Sequence, residues 1–434
     1  MKREIKNIVE AYQPLLWLNR ILGLAVFEVP IGRVWFFFSI FYALIRSLAY
    51  GFLLWYAFLL IPPMPLSYHS VMLMFRIIVY INVVIASVTT ILGIYNHKKT
   101  KKFFKNVSMI DATLECFEIE PVYYDDLKEN LRLVLAWLTG VIIIFTCDLI
   151  LIYAIFDHLG HALAVVVAFE IPLQINSMIE VNFIVYIRTI GRRFEKLNEL
   201  IKNITTHPSQ NDLQHVKSLD LLSPKKTKKN KNKISVRSSS YIKNKYDVEI
   251  ILKMSRQLHL NLCTTSREVN QTLSKQISMQ IASSFFILTG FGYCIYLVYH
   301  LPNVSLPRKI QLFCSLGAWI VVIVWRMLQV VRTTVKVSSE AHKVSQIAHE
   351  IHVTKFQSKL VDDIHQLSLQ VMQHPLFFSA CGLIVLDFKY VRGFVGSVTT
   401  YWMILIQNQP DMIRAANVLV SSIDDNSTLS TTAP

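Results

Sequence analysis

The sequence predicts an all-α, polytopic membrane protein of seven transmembrane helices, with a cytosolic N-terminus, an extracellular C-terminus and cytosolic helical extensions. Three observations predict it. The chain of 434 residues is 53% hydrophobic and only 17% charged, against about 25% charged for an ordinary soluble domain. Apolar runs lie at 34–61, 71–95, 133–156, 162–188, 276–299, 311–331 and 389–408, each long enough to cross a hydrocarbon layer, which takes about 20 helical residues. Lysine and arginine crowd into alternate connections between these runs.

Each run is expected to be helical because backbone groups in lipid must bond within their own segment, and the short alternating strands of a closed barrel are missing. Basic residues near a span resist translocation, so their distribution sets orientation. His97-Lys98-Lys99-Thr100-Lys101-Lys102 and Lys105 follow the second run. Arg192, Arg193, the stretch Lys225 to Lys233 and basic residues to Arg267 follow the fourth. The intervening connections 62–70 and 157–161 carry no lysine or arginine, and 300–310 carries only Arg308 and Lys309. The N-terminus is therefore expected inside, opposite to a G-protein-coupled receptor. The net charge of +15 reads as topology and not as a nucleic-acid surface, because no single basic domain gathers it.

The start Met-Lys-Arg-Glu-Ile-Lys lacks the apolar core and cleavage site of a secretory signal, so the first apolar run is expected to act as an uncleaved anchor. Residues 204–245 are polar, basic and poor in aromatics, and are expected to form a disordered cytosolic loop. Residues 332–375 place Val337, Val344, Ile347, Ile351, Leu360, Ile364 and Leu367 at helical spacing, which predicts cytosolic helices continuing from the bundle. None of the six cysteines falls in an expected extracellular loop, so no disulfide framework is implied and they are expected to pack as small apolar residues. Asn303 and Asn426 begin glycosylation triplets on the expected outer side.

Ionisable residues inside spans are the first functional candidates, since each costs about 2.5–3.5 kcal/mol at mid-bilayer on insertion scales unless it meets a partner or water. Arg46, Arg76, Asp148, Glu170 and Glu180 occupy such positions. Asp148, Glu170 and Arg76 fall in the expected outer half. Gln174 lies one turn from Glu170, with Tyr153, Tyr293, Tyr296 and Trp319 at compatible depths. These residues read either as a ligand pocket, with polar oxygens for hydroxyls or amines and aromatic faces for apolar surface, or as a structural tie from Arg76 to Asp148 or Glu170.

The last run is small and hydroxyl-rich in its first half. At helical spacing Gly393, Ser397, Thr400, Ile404 and Gln407 share one stripe. The stripe reads as a packing seam or, with several copies about an axis, as a narrow conduit with an apolar ring at Ile404 and an amide ring at Gln407. An outward helix C-terminus followed by Asp411 favours cations, provided Arg392 turns away. No cofactor or metal is expected: His158–His161 and His349–His352 lack further ligands, and no phosphate loop or nucleophile turn is present. A secondary transporter remains the alternative, although no inverted repeat or broken helix pair is visible.

The segment Thr400-Tyr401-Trp402-Met403-Ile404-Leu405-Ile406-Gln407 resembles the Thr-Tyr, five hydrophobics, Gln-Phe signature of insect gustatory receptors. Phe378-Ser379-Ala380-Cys381-Gly382-Leu383 with Leu386-Asp387, Gly191-Arg192-Arg193-Phe194 and the inverted seven-span plan agree with it. The resemblance implies no enzyme, but a chemosensory, tastant-gated cation channel in the plasma membrane of sensory neurons. It would be a homo- or hetero-tetramer with other gustatory receptors, passing monovalent and divalent cations and contacting membrane lipid. Residues 1–33 become the cytosolic segment, 34–331 a six-helix ligand-binding bundle, 332–388 the cytosolic anchor, 389–408 the pore-lining helix and 409–434 the extracellular tail. Thr400, Tyr401 and Gln407 carry the family motif, Gln407 the pore constriction, and Asn408 the gate, where the family usually has Phe. The small-molecule tastant is expected to be a bitter or broadly tuned plant compound, with a sugar such as fructose as the alternative.

Overall fold

The computed structural model describes residues 7–28, 35–61, 69–156, 158–206, 245–300, 305–350 and 358–407. Most of the expected basic loop, the tail beyond Gln407, Asn408, Asn303 and Asn426 lie outside them. Two short helices, α1 (Ile8–Ala11) and α2 (Gln13–Ile21), precede the first long apolar helix. Six described helices are long and apolar enough to cross a membrane: α3 (Phe36–Leu60), α4 (His69–Tyr95), α6 (Tyr123–Phe156), α7 (Leu159–Thr206), α8 (Lys245–His300) and α9 (Leu306–His349). Between α4 and α6 lies the polar helix α5 (His97–Glu115). The seventh expected run is also a helix, α11 (Phe388–Gln407), but Lys389, Arg392 and its Gly, Ser and Thr residues set it apart from those six. Phe37, Leu48, Phe52, Ile91 and Ile142 stand exposed on α3, α4 and α6, as on helices whose outer faces meet lipid.

Helix α7 is the centre. Its 48 residues extend about 72 Å at 1.5 Å per residue, more than twice a bilayer span, and it packs against α3, α4, α6, α8 and α9. Loss of hydropathy past 188 therefore marks the end of the apolar environment but not of the helix. Pro172 sits inside α7 and has no N–H to give the carbonyl four residues back. The hydroxyl of Tyr50 on α3 donates to that Ala168 carbonyl at 3.0 Å, so a neighbouring helix supplies the missing donor.

Beyond the apolar half, Gly191-Arg192-Arg193-Phe194 organises the bundle. Arg193 is fully buried and donates through Nε and Nη2 to both oxygens of Asp111 on α5, each at 2.9 Å. Its Nη1 reaches Asp126 on α6 at 2.7 Å. Burial alone would depress the guanidinium, but the charges of Asp126 and Asp111 outweigh it and hold Arg193 above its ordinary value. Arg192 pairs with Asp126 and Glu129. Phe194 is fully buried against the His259 ring, centroids 5.6 Å apart. A Cβ built on Gly191 would lie 2.6 Å from Val337 Cγ2 on α9, so only glycine admits this approach.

The helical expectation for 332–375 is met by α9 running to His349 and by α10 (Ser358–Gln373), with Val337, Val344, Leu360, Ile364 and Leu367 buried; Ile351 lies outside the described residues. A hairpin then interrupts what the sequence reads as wholly helical: β1 (Ser379–Ala380) pairs antiparallel with β2 (Ile384–Val385). Its turn puts Cys381 and Gly382 at φ 51° and 72°. Strands of two residues are too short to show alternation, which is why the pattern hides them. Ser274 and Asn270 of α8 bond its backbone, Thr334 of α9 donates to the Leu386 carbonyl at 2.7 Å, and Asp387 caps α11 through the Tyr390 amide at 2.9 Å. The cysteine expectation is corrected in part: Cys263 and Cys294 are buried, but Cys116, Cys147, Cys314 and Cys381 are exposed. Cys147 and Cys314 lie on apolar helices, where an exposed face meets lipid and burial in protein is not needed.

Gly191→Ala is expected to overpack the α7–α9 contact and lower stability by about 1–3 kcal/mol, with Val337→Ala in the same chain restoring part of it. Thermal unfolding of the purified protein in detergent reads both. Equal midpoints for Gly191→Ala and the parent would contradict the close approach.

Candidate functional site

Three helical stripes converge beside the Pro172 break. On α7, Glu170, Gln174, Ser177 and Glu180 recur at steps of four and three; on α6, Trp137, Val141, Ile144 and Asp148; on α9, Ser315, Trp319, Val322 and Arg326. Such steps keep side chains on one face. The stripes enclose a cleft of about 240 Å³ whose walls include Trp137, Gln174, Ser177, Glu180, Trp319 and Arg326. That is slightly below the roughly 300–1,000 Å³ of ordinary small-molecule pockets, a size for a compact ligand.

The polar groups hold one another in place. Asp148 accepts from the Ser315 hydroxyl at 2.8 Å and the Trp319 indole N–H at 2.9 Å. Gln174 donates to Glu170 Oε2 at 2.6 Å, and Trp137 donates to the Ser177 hydroxyl at 2.8 Å. Glu170 is buried and interacts with the Asp148 carboxyl. At the other end Arg326 Nε bonds Glu180 at 2.9 Å. The arrangement offers acceptor oxygens and indole faces around an apolar floor, suited to a ligand with a hydroxyl or amine on a compact apolar body.

Of the sequence candidates, Gln174 and Trp319 line the cleft, while Asp148 and Glu170 lie outside its lining and bond those two residues. Tyr153 is half exposed on the outer surface, and Tyr293 is buried on α8, outside the residues lining the cleft. Arg76 does not tie the carboxylates: it is exposed, with its guanidinium 5.8 Å from the Phe58 ring centroid. Arg46 bonds the Leu22 carbonyl and Thr90 Oγ1. Arg326 and Trp137 also line the cleft, although neither is among the sequence candidates. Arg326 lies in the 311–331 run two turns after Trp319, so its position on the Trp319 face could have shown it.

On α11, Ser397, Thr400, Ile404 and Gln407 are all exposed, whereas Phe394 and Val398 are buried. Tyr401 rests its edge on Phe285, centroids 5.3 Å apart. Trp402 fills a notch over Gly292 of α8, where a Cβ would collide with its ring, and donates to the Leu288 carbonyl at 3.1 Å. Phe394 and Val398 share one apolar cluster with Trp319, Phe291, Ile323 and Met327, so the cleft wall and the inner face of α11 are continuous packing.

Gustatory receptor for bitter taste 66a of Drosophila melanogaster is 27% identical over 176 residues, 39% of this chain and 32% of that one; the match thus spans about a third of that curated relative. The olfactory receptor OR5 of the insect Machilis hrabei superposes with a TM-score of 0.62 at 11% identity, over 92% of this chain and 98% of that one. The same receptor in complex with eugenol gives 0.61 at 12% identity, over the same shares. The sequence profile described as 7tm chemosensory receptor matches residues 12–410, and on that match this chain belongs to the 7tm chemosensory receptor family.

Proposed function

We propose that this chain is a subunit of a tastant-gated, non-selective cation channel, in which the α6–α7–α9 cleft binds the ligand and α11 lines a central pore. The observation that supports this most is the division of α11. Its inner face, Phe394 and Val398, is buried in the subunit, while Ser397, Thr400, Ile404 and Gln407 are left exposed. A hydroxyl- and amide-bearing edge is poorly matched to lipid, and a symmetry axis shared by four copies would give it water and counterparts. In this reading α11 is the seventh span, the N-terminus is cytosolic, the tail is extracellular, and the receptor resides in the plasma membrane of sensory neurons. Residues 332–388 form the cytosolic anchor, and Gln407 and Asn408 form the constriction and gate.

The ligand enters beside Trp319 and favours one packing of α9 over another. Because Trp319 lies 6.4 Å from Phe291 between ring centroids and shares a cluster with Phe394 and Val398, a change at the cleft wall is felt at α11. Gating is then a population shift, and the ligand moves it only by its differential affinity for the two packings. The similarity to a bitter-taste receptor favours a bitter or broadly tuned plant compound of compact, partly apolar shape over a sugar.

Gln174→Ala is expected to raise the half-maximal tastant concentration about tenfold or more, the effect of losing roughly 1.4 kcal/mol or above from a hydrogen bond to a charged partnership, with surface expression retained. Dose–response currents of the expressed chain check this, and an unchanged midpoint would remove the cleft as the ligand site. Gln407→Ala is expected to alter relative permeability among cations. Identical reversal potentials in substituted salts would place Gln407 away from the ion path.

A further inference from the structure

A second and larger cleft, about 760 Å³, lies on the side of the molecule where α4 meets α5. The N-terminal segment, α4, α5, α7 and α8 all contribute to it. Its lining holds five lysines and arginines against two glutamates. Arg20 is buried, at 5% exposure, and its Nε has no acceptor. Burial pulls the Arg20 guanidinium below its ordinary range, with Glu28 opposing. That same carboxylate is also claimed by His97 at 3.3 Å and Lys101 at 3.6 Å. Five lysines and arginines against two glutamates leave the cleft short of negative charge.

Two further features aim at the same space. The first turn of α5 lines the cleft through His97, Lys98, Thr100 and Lys101, while the Asn96 side chain before it is turned to the Thr272 carbonyl at 3.1 Å. Gln276, 2% exposed, also lines the cleft and keeps Oε1 unpartnered. The cleft is built at two depths. Lys98, Lys101 and Lys105 form an exposed rim, while Gly93, Ile179 and Gln276 come from the apolar runs. A ligand filling it would therefore meet cations at one end and span-level apolar surface at the other.

From this geometry we infer that the cleft binds an anionic phospholipid whose headgroup carries phosphomonoesters, with the phosphates against Arg20 and the rim lysines and the glycerol and upper acyl chain against Leu24, Ile179 and Leu273. A headgroup with several negative charges matches the excess of basic residues better than a singly charged one. The lipid would bridge the N-terminal helices to α5, α7 and α8. The site is separate from the α6–α7–α9 cleft and does not depend on the channel reading.

Full-length protein in lipid nanodiscs of phosphatidylcholine, titrated with short-chain phosphatidylinositol bisphosphate, tests this. Saturable binding is expected, weakened at least tenfold by Lys98→Gln/Lys101→Gln/Lys105→Gln, a set of exposed positions that leaves the fold intact, and weakened also by Arg20→Gln. Inositol trisphosphate, the free headgroup, is expected to bind more weakly because it lacks the apolar part. Equal binding of the free headgroup would overturn the lipid assignment in favour of a soluble phosphate ligand. Absence of binding, or unchanged affinity in the triple variant, would overturn the site.

Discussion

The buried charge cluster around Arg193 is the constraint on which the rest of this structure depends. Long helices that leave the membrane lose the lipid that would hold them side by side, and here one guanidinium engages Asp111 of α5, Asp126 of α6 and the Thr189 carbonyl of its own helix. Buried ion pairs contribute little net stability over apolar packing, because desolvation offsets their attraction, yet losing one partner costs about 3–5 kcal/mol. Their effect is on register. With Arg193 pointed at α5 and α6, Gly191 faces Val337 of α9, and the rotation of α7 is set.

That rotation carries into the apolar half. The same helix presents Glu170, Gln174 and Glu180 to α6 and α9, next to a proline whose lost hydrogen bond Tyr50 offsets. Glu180 and Arg326 pair within this groove, and outside its lining Asp148 is satisfied by Ser315 and Trp319. Glu170 accepts from Gln174 and meets the Asp148 carboxyl. The groove wall and the inner face of α11 belong to one packed cluster, the route that the proposed gating would use.

Much of this was legible in the sequence because hydropathy and helical period are local signals. The second and third apolar runs end at 95 and 156, as do α4 and α6, and Asp148, Glu170, Gln174 and Trp319 could be grouped from depth and spacing alone. Depth does not give azimuth, however. Arg76 shares the level of the carboxylates but sits on the outer face over Phe58, and Tyr153 is at the right height on the wrong side. Arg326 was hidden inside an apolar run whose average it barely alters. The hairpin at 379–385 left only Cys381-Gly382 as a trace, since its residues are fixed by bonds from Ser274, Asn270 and Thr334, more than forty positions away in the chain.

In the proposed channel, fold and function meet at the exposed edge of α11, left open by a helix that buries its other side. Single cysteines at Ser397, Thr400 and Ile404, compared with Phe394 and Val398 as buried controls, read its surroundings directly through modification by a charged aqueous thiol reagent. A water-filled path beside α11 gives fast modification of the first three while a tastant evokes current, with altered conductance, and none at the controls. Uniform inertness along the edge in a protein that still responds to tastant would contradict a water-filled path beside this helix.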